Sequence, residues 1–324
     1  MTITLRAWAG CLLIAFATCA VAADRALPLE PMVRPPPVAA SRAPVATKPA
    51  PPAAQARTVS AVDPTRLKLR SASLVVFDPA TSRVVVARDP EHVRPIASVT
   101  KLMTAMVVLD ARLGLDELLR ISADDIDRLK GTHSRLPVGA RLTRREMLHL
   151  ALMASENRAA SALARHYPGG FPAFVRAMNR KAKALGMQRT QFVDSTGLSR
   201  KNVSTARDLS RMVQAAHRYP VIRRFTTSAS LAVRVAKGGA PLQFRNSNRL
   251  VQSGSKDWRI EVSKTGYTAE AGRCLVMHTR IGRRPLILVL LNSWGKLTPV
   301  GDANRIRRWL EAHPGTIELA GRGP

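Results

Sequence analysis

Cysteine is nearly absent from this sequence. Of three cysteines, Cys11 and Cys19 sit close to the N-terminus, and only Cys274 lies in the body of the chain. A lone cysteine forms no internal disulfide, so the fold must rest on its apolar core. Aromatic residues make up only 4% of the chain and seldom interleave with the arginines. No zinc-finger spacing occurs, which sets nucleic-acid binding aside. The histidines (His92, His133, His149, His166, His217, His278, His313) are widely spaced and lack a His-Glu-x-x-His pattern, so no metal site is expected. Each is read as a surface or satisfied core residue. Glycine-rich phosphate loops and dinucleotide fingerprints are missing, and no cofactor is expected. Acidic residues are outnumbered, 22 against 51 lysines and arginines, for a net charge of +29. That excess is read as solvated faces with an attraction to polyanions.

What is present begins with a leader. Arg6 is the only charge before Asp24, an apolar run follows from Ala7 to about Ala20, and Ala20 to Ala23 are small. This reads as a signal peptide over residues 1–23. The run falls short of the roughly 20 residues of a membrane span, so at most peripheral membrane contact is expected. Residues 24–66 are rich in proline and alanine ("VRPPPVAASRAPVATKPAPPAA") and read as a semi-rigid linker. The rest of the 324 residues, 46% apolar over the whole chain, is enough to bury a real core.

Within 67–312 the pattern changes twice. "SASLVVFDPATSRVVVARD" is a hairpin, with β-branched runs at Leu74–Phe77 and Val84–Val86. A helix follows at Ser98. From Leu115 to about Arg224 the periodicity is mostly helical, with one helix stopping at Gly186 and another opening at Ser204 or Thr205. Strand signals return at Leu231–Val235, Ile260–Lys264, Cys274–Thr279 and Leu286–Leu291, and a last helix spans about Ala303 to Glu311. This order predicts a mixed α and β fold. An α/β lobe (67–113 and 226–312) is completed by both ends of the chain, an all-helical lobe (114–225) is inserted, and 313–324 form a tail.

Three short motifs carry candidate chemistry. In "SVTK", Ser98 and Lys101 share a helix face, about 5–6 Å apart at Cβ. A neutral amine there could serve as base to the serine. Taken alone, a capping serine with a solvated lysine is the commoner reading. Ser155-Glu156-Asn157 interrupts an apolar run; a hydroxyl and an amide could face one cleft, or the serine could simply cap a helix. Lys264-Thr265-Gly266 ends a β-rich run, where the side chains could hold a carboxylate and the glycine permits close backbone approach. The plain reading there is a polar edge strand. Asn246 and Asn248 read as loop-shaping residues, and Cys274 as a buried apolar filler.

Together, in this order, the three motifs resemble those of the serine penicillin-recognising enzymes, the penicillin-binding proteins and serine β-lactamases. The resemblance spans about Ser71 to Leu310. "SVTKLMTAMVVLDA", "SENRAASALARHYPGG", "AKALGM", "NVSTARDL" and "KTGYT" are most similar to the small periplasmic D,D-endopeptidases. It implies a β-lactamase/transpeptidase-like fold, with an antiparallel sheet flanked by helices. It implies a periplasmic enzyme acting on peptidoglycan peptide cross-links, with β-lactams as covalent inhibitors. Ser98 would be the nucleophile, Lys101 its base and Ser155 a proton relay. Asn157, Lys264, Thr265, Gly266 and Tyr267 would bind substrate, with the backbone N–H groups of Ser98 and Tyr267 as oxyanion hole. Of Lys101 and Lys264, the first is expected to be the neutral amine.

Rival readings are a D-alanyl-D-alanine carboxypeptidase, a serine β-lactamase and a non-catalytic cell-wall-binding protein. Class A β-lactamases use a glutamate between the second and third motifs for deacylation. This chain has no glutamate between Asn157 and Ile260.

Overall fold

The computed structural model describes residues 65–235, 238–254 and 256–314. The expected leader, nearly all of the linker and most of the tail lie outside the described residues.

The elements follow in order. The hairpin is β1 (Ser71–Asp78) and β2 (Arg83–Arg88), followed by the short β3 (Arg94–Pro95). A 3-10 turn at Ala97–Thr100 leads into α1 (Lys101–Asp110). Next come β4 (Leu118–Arg120), β5 (Arg141–Thr143), α2 (Arg144–Met153), α3 (Asn157–Arg165), α4 (Gly170–Ala184), β6 (Val203–Ser204), α5 (Ala206–His217) and α6 (Pro220–Thr227). β7 (Ser230–Val233), β8 (Leu242–Arg245), α7 (Arg249–Gln252), β9 (Arg259–Thr268), β10 (Gly272–Ile281), β11 (Arg284–Ser293) and α8 (Thr298–Ala312) complete the order.

One antiparallel sheet, ordered β2-β1-β11-β10-β9, organises the fold. Its two faces bury alternate residues of the same strands. Leu74, Val76, Leu286, Leu288 and Leu290 pack with Ala303, Ile306 and Leu310 of α8. Val75, Ile287, Val289 and Leu291 turn to the larger core formed with the helices. Burial on both faces explains why Leu286–Leu291 reads as an unbroken apolar run. α1 is enclosed, with every residue from Lys101 to Val108 buried, so its sequence lacks a polar stripe. Asp302, fully buried on α8, clamps the first strand. It accepts from the backbone N–H of Arg70 and of Ser71 (2.7 Å) and from Ser71 Oγ (2.6 Å).

Several expectations are corrected. Ser98 does not cap a helix: it lies inside the 3-10 turn, whose N-cap is Ile96, and α1 begins at Lys101. The inserted lobe is helical in bulk but not all-helical, because β4 pairs with β5 and β6 pairs with β3. The strand predicted at Leu231–Val235 ends at Val233 and pairs with β8, outside the main sheet. The last helix starts at Thr298, where Pro299 in its first turn is a start signal that the apolar period alone overlooks. The expected stop at Gly186 holds, with its φ of +72°, and Thr205 caps α5 by accepting from Asp208 N.

Candidate active site

The three motifs converge on one cleft of about 370 Å³, whose lining includes Ser98, Ser155, Asn157, Thr265, Gly266 and Tyr267. The 3-10 turn supplies Ser98 and the first turn of α1 supplies Lys101. The α2–α3 junction supplies Ser155 and Asn157, and β9 supplies Lys264 to Tyr267. Two non-glycine residues here take left-handed backbone, Ala97 (φ +47°) and Ser155 (φ +64°). Such conformations persist only where packing imposes them.

β9 and the 3-10 turn are pressed together. A Cβ on Gly266 would come within 3.0 Å of Ile96 O and 3.1 Å of Ser98 N. Glycine is therefore favoured by close approach, as the sequence suggests. The same crowding recurs at Gly197 (φ +83°), where a Cβ would lie 1.9 Å from Ala97 O.

Lys101 is fully buried, and its Nζ contacts three oxygens: Ser98 Oγ at 2.9 Å, Asn157 Oδ1 at 2.7 Å and Thr196 O at 2.7 Å. The last two are carbonyl oxygens, which only accept. Ser98 alone has a proton to offer. Once the amine is neutral, its lone pair has one partner to face, the Ser98 hydroxyl. Burial pushes Lys101 down to about 7, against the upward pull of Asp194, Glu156 and Asp127.

Lys264 is also buried, and its Nζ donates to Thr265 O at 2.9 Å. Burial first, then the charge of Lys101, drives its pKa well below the usual lysine range. Burial thus lowers both amines, and their electrostatic surroundings differ. Three carboxylates hold up Lys101, whereas no acid counts among the causes acting on Lys264. An incoming carboxylate would supply that missing charge.

Residue-type reasoning missed the supports of this site. Asn157 Nδ2 donates to Thr132 Oγ1 (2.9 Å), which donates to Asp127 Oδ2 (2.6 Å), so the amide is oriented with its oxygen toward Lys101. The Thr196 carbonyl is fixed by Asp194, whose carboxylate accepts the N–H groups of Thr196, Gly197 and Ser199. Thr265 Oγ1 donates to Ser247 Oγ at 2.7 Å. Ser247 lies between Asn246 and Asn248, both buried and loop-shaping: Asn246 donates to Thr226 O and Ser228 O, and Asn248 accepts from Leu250 N. Its "NSN" setting was the one available signal. Cys274 is buried and burial raises its thiol to about 11, which makes it inert filler.

A family model described as Peptidase S11, D-alanyl-D-alanine carboxypeptidase, matches residues 57–295. The chain belongs to this family of serine peptidases. Among its relatives is a D-alanyl-D-alanine endopeptidase of Pseudomonas aeruginosa, 51% identical over 248 residues, 76% of this chain and 79% of that one. A second, from Escherichia coli, is 47% identical over 260 residues, 80% of this chain and 83% of that one. Among solved structures, the Streptomyces K15 DD-transpeptidase superimposes with a TM-score of 0.69 at 27% identity, covering 75% of this chain and 98% of its own. The fold is thus the β-lactamase/transpeptidase-like fold of the penicillin-binding D,D-peptidases. Among the described residues, no helix is long and apolar enough to cross a membrane.

Proposed function

We propose that this peptidase is a D-alanyl-D-alanine endopeptidase that opens peptidoglycan cross-links through an acyl-enzyme on Ser98. The observation that carries the reading is the Lys101 contact set, which leaves a neutral amine facing the Ser98 hydroxyl. In this scheme Ser98 Oγ attacks the D-alanyl carbonyl and its proton passes to Lys101. The backbone N–H groups of Ser98 and Tyr267 stabilise the oxyanion. On collapse, the amine of the neighbouring peptide leaves with a proton relayed by Ser155. Water then hydrolyses the ester, and Lys101 again takes the proton.

Asn157 keeps its second amide hydrogen for the substrate backbone. Lys264 and Thr265 face the carboxylate beside the scissile bond, and pairing with that anion favours the charged form of Lys264. The leader-like N-terminus supports action in the periplasm, and the family supports covalent capture by β-lactams.

The endopeptidase names of the two relatives above favour cross-link cleavage. The family's own description keeps terminal D-alanine removal as the second reading. Digestion of purified cross-linked peptidoglycan separates them. Dimeric muropeptides converted to monomers support the endopeptidase. Free D-alanine with intact dimers would replace it by the carboxypeptidase.

A further inference from the structure

A second cluster lies away from the cleft, on the same strand that carries Lys264. The pairing of β9 with β10 slips between His278 and Thr279, whose partners are Val262 and Ile260. Glu261 is the extra, bulged residue. Bulges of this kind re-aim a side chain. Here Glu261 Oε2 lies 2.9 Å from His278 Nδ1 and 2.8 Å from Nε2 of His217, the last residue of α5. One ligand atom from each of the three lies within 4.8 Å of the others.

The cluster is not satisfied as it stands. His278 is only 4% exposed, yet its Nδ1 has no hydrogen-bond partner, and neither has Glu261 Oε2. The contacts are short but lack hydrogen-bond direction. Sequence reading took His278 as a surface or satisfied core histidine; it is buried, in close contact with Glu261, and its Nδ1 makes no well-directed hydrogen bond. Buried polar atoms left unpaired in a folded protein call for a missing partner.

Two imidazole nitrogens and a carboxylate are a donor set suited to zinc, with an open fourth position for water. Arg280 Nε donates to the other carboxylate oxygen, Oε1, at 3.1 Å, the kind of outer contact that orients a ligating carboxylate. An open hollow lined by His217, Glu261 and Thr227 gives access from solvent. Arg223 and Arg224 also border it, and their charge weakens cation affinity without blocking entry.

We propose that His217, Glu261 and His278 form a binding site for a zinc-class divalent cation that ties α5 to β9 and β10. The His217 and His278 rings are stacked at 3.8 Å and lie 8° from parallel. Parallel rings cannot aim both lone pairs at one point. His217, about a third exposed at the helix end, is the ring that turns when the ion enters.

The test titrates the full-length protein, stripped with chelator, with zinc chloride in a calorimeter and follows its Tm. One equivalent of zinc should bind and Tm should rise, with no rise from magnesium. His217→Ala and Glu261→Gln should each abolish the binding while circular dichroism stays native, and His313→Ala should retain it. Absence of stoichiometric binding, or its survival in both cluster variants, overturns the site. Because the readouts are binding and Tm, the outcome is independent of the peptidase reading.

Discussion

The backbone carbonyl of Thr196 lies 2.7 Å from Lys101 Nζ, although the two residues come from different parts of the chain. No substitution deletes a backbone carbonyl. The lysine is thereby held by one acceptor that mutation cannot remove directly, one oriented amide and one hydroxyl.

Lys101→Ala should leave the fold intact and lower Ser98 acylation by about a hundred- to ten-thousand-fold, the usual contribution of a positioned base. Labelling with a fluorescent penicillin reads this, alongside circular dichroism. Normal labelling would remove Lys101 from the chemistry.

Acylation should depend on pH through the same amine. The base acts when neutral, and burial sets Lys101 at about 7. The rate should therefore fall about tenfold per pH unit below 7 and level off above it. Glu156 raises this pKa, so Glu156→Gln should move the midpoint to lower pH. A midpoint that stays put, or moves upward, contradicts the assignment.

The two crowded glycines should fail differently. Gly197→Ala forces a Cβ to 1.9 Å from Ala97 O at positive φ and should cost about 3 kcal/mol or more in urea unfolding. Gly266→Ala meets softer contacts of 3.0–3.1 Å at Ile96, Ala97 and Ser98. It should fold, yet acylate slowly because β9 is pushed off the nucleophile turn. Equal stability losses would refute this division.

Asp302→Ala strips acceptors from the buried Ser71 N–H and hydroxyl. Orphaned buried donors and a broken charged contact should together cost about 3 kcal/mol. Penicillin labelling per folded molecule should not change, since Asp302 lies outside the cleft lining.

A chromogenic cephalosporin should be consumed once per enzyme and then only slowly. No glutamate lies between Asn157 and Ile260 to activate a deacylating water in the class A manner. Rapid multiple turnover would return the protein to the β-lactamase reading.

Ser98, Lys101, Ser155, Asn157 and Lys264 could be singled out in the sequence because together their motifs resemble those of the penicillin-recognising enzymes, and the structure gathers them at one cleft. The Thr196 carbonyl could not, since every residue has one. Thr132 and Asp127 act through a loop fold that has no periodicity to read. The long strands β10 and β11 were evident from sustained apolar runs, and β9 from a shorter β-rich run. The short β4, β5, β6 and β8 were not, because strands of two to four residues leave too little pattern. Glu261 and His278 converge through a bulge, and a one-residue slip in register is invisible to a pattern that assumes strict alternation.

The strand order has a consequence for timing. β1, among the first segments of the folded part, pairs with β11, near its end: Ser71 stands opposite Ser293. The sheet therefore cannot close until almost the whole chain is available. β9, which presses the third motif against Ser98, is held in the sheet through β10 and β11. In chain order Ser98 comes early and the strands that complete its cleft come last. Assembly of the cleft therefore waits on the last strands of the sheet.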